Sequence, residues 1–266
     1  ADTIGGAAKS HEICVPTVES VQGGYLIDVL VGAGVPLLLC GNTGTGKTIL
    51  MQDRLQHSLS ADAYQTISIA FSAQTSAVGT QSIIDSQLDK RRKGVYGPPY
   101  GKRVVVFIDD LNMPAPEEYG AQPPIELMRQ WMDHGGWYDL KDLSFRQIVD
   151  MQFCAAMGPP GGGRNHVTPR YLRHFNMAWL TDYSGSSLER IFSTILAWHV
   201  RDFSGEVKAV ASKVVSCTVA VYQTISEALL PTPAKSHYTF NLRDISKVFQ
   251  GPTRSSARSV APVRSP

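Results

Sequence analysis

The stretch Leu37-Leu38-Leu39-Cys40-Gly41-Asn42-Thr43-Gly44-Thr45-Gly46-Lys47-Thr48 decides the fold. An apolar run forms a buried strand, the glycines break it into a loop, and a helix begins at the lysine. Gly41, four residues, then Gly46-Lys47-Thr48 is the spacing of a phosphate-binding loop. There the glycines let backbone N–H groups turn inward around a polyphosphate, and the helix presents its positive N-terminal end. Lys47 reaches the β- and γ-phosphates, and the Thr48 hydroxyl takes a place on Mg²⁺. A chance glycine cluster at a strand–helix turn is the bland alternative. The apolar run directly upstream favours the nucleotide.

A second stretch, Val104-Val105-Val106-Phe107-Ile108-Asp109-Asp110, closes an apolar run on two carboxylates. That pattern describes a central parallel strand whose C-terminal end faces a ligand crevice. Asp109 suits the carboxylate that holds Mg²⁺ directly or through water, and Asp110 stands where many such ATPases carry a Glu that positions the attacking water. Alone, the pair reads equally as a helix cap or a turn. With a phosphate loop upstream, the functional reading prevails.

The chain of 266 residues has room for one large domain or for a core plus a small second domain, and 43% hydrophobic residues suffice to bury a core. A net charge of +2 and 18% charged residues suggest neither a nucleic-acid binder nor an acidic tail. No apolar run reaches the length of a membrane span, and the first ten residues lack a signal-peptide core. The four cysteines (Cys14, Cys40, Cys154, Cys217) are scattered without a C-x-x-C pair. Cys40 and Cys154 lie in apolar strand-like runs and are expected to be packed thiols rather than ligands, in a reducing compartment, the cytosol or something continuous with it. The chain opens without Met directly into a domain pattern, which reads as a piece of a longer protein.

Periodicity fills in the rest. A helix is expected to about Val31 on the stripe Val18, Val21, Tyr25, Leu26, Val29 and Leu30, strained by Gly23-Gly24 at about 1 kcal/mol each relative to Ala. Residues 47–59 form a helix and 64–71 a strand. Residues 76–92 form a helix ending in a solvated charged run, and 94–101 a loop. A helix over 123–134 precedes a short hairpin (135–140 and 145–149) and a buried strand over 149–157. Gly158-Pro159-Pro160-Gly161-Gly162-Gly163-Arg164-Asn165 then continues neither helix nor strand and forms the rim of the site. A short helix over 168–175 leads to a fifth strand, and helices over 188–200, 207–230 and from Asn241 follow. The tail over 251–266 is rich in Pro, Ser, Arg and Ala and is expected to be disordered.

Several separate motifs resemble one family, the axonemal dynein heavy chains, and among their parts the third AAA+ module. They are residues 36–48, 71–76, 89–94, 109–114, 119–124, 140–142, 157–165, 169–175 and 230–243, which agree in order over roughly 13–250. The resemblance implies a P-loop AAA+ α/β core, with a parallel five-stranded sheet between helices, followed by a small all-helical lid. The boundaries expected are 1–15 linker, 16–203 core, 204–250 lid and 251–266 a tail unlike the family. It further implies ATP or ADP with Mg²⁺ as ligands, held by residues 41–48 and Asp109. Arg173, or second Arg170, resembles an arginine finger that serves the neighbouring module's nucleotide. Arg243 resembles the sensor-2 arginine of the lid, reaching the γ-phosphate of its own site. The implied partners are neighbouring modules of the same heavy chain, other dynein subunits and, through parts absent here, microtubules. Nucleic acid and membrane are not among them. The implied location is the cytoskeleton of the cytoplasm and the axoneme of a cilium or flagellum.

Two departures bear on turnover. Asp110 replaces a catalytic Glu and is one methylene shorter, and Gly158 stands where a polar water-orienting residue is usual. Both weaken hydrolysis more than binding. Two functions therefore stand side by side: a mechanochemical ATPase module, and a regulatory or structural module that holds nucleotide without significant turnover. In the core, the strand over 104–108 is expected beside that over 35–40 or one strand from it.

Overall fold

The computed structural model describes residues 15–235 and 237–255. The expected linker up to residue 14, Cys14 within it, and the tail over 256–266 lie outside the described residues. The described chain divides into two compact units. One comprises Gln22–Asn42 and Gly46–Thr181. The other comprises the residues from Asp182 onward, grouped with Thr43–Thr45 and the residues up to Val21.

The first unit is built on five parallel strands in the order β2-β5-β8-β1-β9. These are β1 (Leu37–Cys40), β2 (Tyr64–Ala70), β5 (Arg103–Asp109), β8 (Met151–Met157) and β9 (Asn176–Trp179). The expected sheet is thus present, with β8 between β1 and β5. Central parallel strands are covered on both faces, so β5 is apolar from Val104 to Ile108 rather than alternating. Its side chains still divide by the two-residue pleat. Val105 and Phe107 join Leu37, Leu39, Ile27 and Met51 on the face covered by α1 (Val18–Gly32) and α2 (Lys47–His57). Val104, Val106 and Ile108 join Leu38, Ile84, Ile125 and Met128 under α3 (Ala77–Asp85) and α4 (Pro123–His134).

Helix α1 corrects the expected stripe. Gly23, Gly24, Ile27 and Val31 face inward, whereas Val18, Val21, Tyr25, Leu26 and Val29 are exposed. The glycines are the reason. A Cβ on Gly23 would lie 2.8 Å from Leu50 Cδ2, and one on Gly24 2.6 Å from Arg54 Nε, so their absence lets α1 lie close on α2.

The charged run Asp89–Arg92 is a strand, β3, and not the end of a helix; α3 stops at Asp85. It pairs antiparallel with β4 (Val95–Gly97), inside the expected loop, and β4 pairs parallel with β7 (Phe145–Ile148). With β6 (Gly136–Tyr138), the other limb of the expected hairpin, they make a second sheet ordered β3-β4-β7-β6. Its outer strand is mostly exposed, which is why apolar periodicity gives no signal for it.

The second unit is helical. Helices α6 (Gly185–His199), α7 (Gly205–Ala228) and α8 (Leu242–Gln250) enclose Leu188, Phe192, Leu196, Val215, Val219, Ile245 and Phe249. Phe192 and Phe249 stack with centroids 4.3 Å apart. This apolar stripe of α6 is what assigns it here, so the helical unit begins near Asp182 where periodicity alone placed its start at Ser204. A capping box between Asn241 and Asp244 opens α8. Beyond α8, Pro252–Arg254 form a 3₁₀ turn, which replaces the expected disorder for the first residues of the tail.

Candidate functional site

The phosphate loop leaves β1 at Gly41, and α2 starts at Lys47. Gly46, the residue before the helix, has φ 80°, a conformation a side chain would oppose. Lys47 Nζ donates to the carbonyls of Gly41 (2.8 Å) and Asn42 (2.6 Å), so the ammonium bridges the first turn of the loop. Burial, and next the Arg164 guanidinium, pull Lys47 below the usual lysine range, against Asp109 and Asp110.

Thr48 Oγ1 donates to the Asp109 carboxylate, 3.0 Å from Oδ1 and 2.8 Å from Oδ2. The two residues named from sequence as metal holders therefore meet, one from the first turn of α2 and one from the end of β5. Among the described residues no three His, Cys, Asp or Glu converge as a metal cage. The pair fits Mg²⁺ instead, which takes one or two protein ligands and fills its octahedron with phosphate oxygens and water.

Asp110 has φ 52°, left-handed for a residue other than glycine, and its N–H donates to Asp109 Oδ1 at 3.1 Å. Asp tolerates that region better than most side chains, so the shorter acid suits the local backbone. Strain of this kind tends to lie at functional positions.

The loop after β8 is laced to the turn after β5. Asn112, which is buried, donates through Nδ2 to Gly158 O at 2.8 Å. The N–H of Asn165 reaches Asn112 O at 2.9 Å, and its Nδ2 reaches Pro114 O at 2.9 Å. Between them Gly161 and Arg164 exchange backbone hydrogen bonds of 2.9 and 3.1 Å across a turn. Gly161, Gly162 and Gly163 there have φ of 118°, 58° and 89°. The turn sends Arg164 back over Gly158, where an added Cβ would lie 2.7 Å from Arg164 Nε. Arg164 Nη2 ends 3.9 Å from Asp110 Oδ1.

Sequence reasoning treated this loop as a rim and passed over Arg164. The available signal was a lone basic side chain after three glycines, at the C-terminal end of a central strand.

The remaining arginines are elsewhere. Arg170 lies in the short helix α5 (Pro169–Leu172), and Arg173 follows it. Arg173 Nη2 donates to Asp133 Oδ1 at 2.6 Å, and His174 Nε2 is 3.0 Å from the same oxygen. The Arg173 bond holds the Asp133 carboxyl below its usual range. Arg170 is exposed. Strand β9 begins at Asn176, paired with Leu37 at the start of β1, whereas the phosphate loop leaves the other end of β1. The structure therefore does not bring Arg170 or Arg173 to this chain's own loop. Arg243 belongs to the helical unit, in the first turn of α8, where its N–H donates to Asn241 Oδ1 at 2.8 Å.

Comparison with known proteins agrees with this geometry. The family described as the P-loop containing dynein motor region matches residues 3–183, and the AAA+ lid domain matches 214–264. The chain is similar to mouse dynein axonemal heavy chain 12, at 52% identity over 92% of this chain and 8% of that one. It is also similar to human dynein axonemal heavy chain 1, at 54% over 90% of this chain and 6% of that one. Mouse dynein axonemal heavy chain 3 is 48% identical over 94% of this chain and 6% of that one. The chain thus spans less than a tenth of the length of these relatives.

Proposed function

The chain belongs to the P-loop containing dynein motor region family, and on that premise we propose that it is an ATP-binding AAA+ module of an axonemal dynein heavy chain, the third of its ring. The observation that carries the proposal is the Thr48–Asp109 contact beside the Lys47 ammonium. It unites the ends of two strands into one place for a metal-bound polyphosphate. Mg²⁺·ATP, when bound, would supply a phosphoanhydride bond whose oxygens the ion polarises. Residues 41–48 would cradle the phosphates, Lys47 would neutralise them, and Thr48 and Asp109 would hold the ion. Asp110 would take a proton at its carboxylate from the attacking water as that oxygen bonds the γ-phosphorus and the bridging P–O bond breaks, with ADP as the leaving group. Arg173, or else Arg170, completes the site of a neighbouring module, in keeping with the position of α5 at the far end of the strands. Arg243 serves this module's own γ-phosphate.

In this reading the partners are adjacent modules of the same heavy chain and the other dynein subunits. Microtubules are reached only through other parts of that chain, in the axoneme of a cilium or flagellum. Hydrolysis drives or gates a conformational change of the ring. A second reading, a regulatory or structural module that holds nucleotide without significant turnover, draws on the shorter acid at Asp110 and on Gly158. The test is equilibrium titration with a fluorescent ATP analogue and Mg²⁺. Lys47→Ala is expected to abolish saturable binding, and unchanged affinity in that variant would refute the site.

A further inference from the structure

We infer that Arg164 is the specificity-determining cation of this site, contacting the terminal phosphate so that the module distinguishes a nucleoside triphosphate from a diphosphate. The inference rests on the nucleotide reading given above and assigns the group that reads the γ-position.

Four observations converge. Arg164 projects from the loop after β8, the strand between β1 and β5, and so lies at the middle of the crevice edge where ligands of open α/β sheets bind. The guanidinium lies beside Asp110, its Nη2 3.9 Å from Oδ1, at the turn that follows β5. Arg164 Nε is buried and has no acceptor. Such orphans are rare in folded proteins, and a guanidinium offers five donors in a planar fork suited to phosphate oxygens. Finally, the backbone is shaped around this side chain. Three successive glycines with positive φ return the chain toward the site, and Gly158 leaves the volume the guanidinium fills.

The bland alternative is an ordinary ion pair with Asp110. At 3.9 Å that contact is beyond hydrogen-bond reach, and it leaves Nε without a partner. It also gives no reason for the Gly158 cleft. A missing polar side chain at Gly158 is then a substitution in space: the group that faces the γ-phosphate arrives from six residues further along the chain.

The test uses the 266-residue chain and fluorescent ATP and ADP analogues with Mg²⁺, reading the ratio of the two dissociation constants. Arg164→Gln is expected to shift that ratio against ATP by about ten- to hundredfold, the loss of a charge-assisted contact, with ADP affinity and Tm nearly unchanged. Arg164→Lys, which keeps the charge without the fork, falls between. Gly158→Ala, which leaves Arg164 in the sequence but crowds its guanidinium, shifts the ratio the same way. An unchanged ratio in Arg164→Gln, while Lys47→Ala loses both nucleotides, overturns the role of Arg164 and leaves the nucleotide site standing. Equal losses of ATP and ADP accompanied by a lower Tm make Arg164 structural and also overturn it. A wild-type chain that binds neither nucleotide overturns the underlying nucleotide reading, and the inference with it.

Discussion

Replacing Asp109 by Asn separates a structural carboxylate from one that works on a metal. In the structure Asp109 accepts from Thr48 Oγ1 and from the Asp110 N–H. Asn keeps one oxygen in place, so both donors retain an acceptor, now neutral. A hydrogen bond to a charged group contributes about 1.5–3 kcal/mol, and one between neutral groups about 0.5–1.5. Because Asp109 and Thr48 are only half-buried, the low end applies. The folded state should lose about 1–2 kcal/mol, at roughly 2–4 °C in Tm for each kcal/mol in a chain of this size. The nucleotide should lose more. Groups that hold or orient a metal typically govern its affinity by about 10–100-fold, or roughly 1.4–2.8 kcal/mol.

The two effects are separable because the second requires the ion. Titration with a fluorescent ATP analogue should show the loss in Mg²⁺, while wild type and Asp109→Asn bind alike in EDTA. Thr48→Val should behave similarly. The double variant should lose less than the sum of the two, since both residues act on one ion. Equal losses with and without Mg²⁺, or strict additivity, would refute the assignment of Thr48 and Asp109 to a common metal.

Three further outcomes are expected. Asp110→Asn should leave ATP affinity within about twofold and lower only turnover, as for a group acting in the transition state; the assay needs an adjoining module that supplies an arginine in trans. Asp110→Glu tests reach, but the left-handed backbone at this position opposes the longer side chain, so a gain in turnover should come with a lower Tm. Gly23→Ala should destabilise despite the gain in helix propensity of about 1 kcal/mol. The new Cβ meets Leu50 at 2.8 Å, and overpacking costs about 1–3 kcal/mol, so a rise in the denaturation midpoint would contradict the packing described. Cys217 is exposed and should react with a thiol reagent in the native protein at pH 8, whereas Cys154, its thiol pushed up to about 12 by burial, should react only after unfolding.

What the sequence disclosed follows from which forces leave a periodic trace. The run at Val104 to Ile108 is legible because a strand covered on both faces must be apolar throughout, and the phosphate loop because its glycine spacing meets a steric need. Of the second sheet only the hairpin β6–β7 left a trace. The strand Asp89–Arg92 is exposed, and β4 pairs with β7 across a long separation, so neither composition nor a short turn marks them. Helix α1 misled for a different reason. Its inward face uses glycines, which score as breakers while letting the helix lie close on α2. Among the site residues, Lys47, Thr48 and Asp109 were legible because motif and strand end coincide. Arg164 was not, since its place depends on a turn of three glycines that no period encodes.

The direction of the strands has a consequence beyond this chain. A core whose phosphate loop leaves one end of β1 and whose arginine-bearing turn enters at the other has a front and a back. Two such cores placed face to face oppose like with like: loop to loop, or arginine to arginine. Placed in file, the arginine-bearing turn of each faces the phosphate loop of the next. Contacts of that heterologous sort either close into a ring or continue as a filament. Polarity is thus already present in a single copy, written in the sense of four short residues of β1, before any neighbour is met.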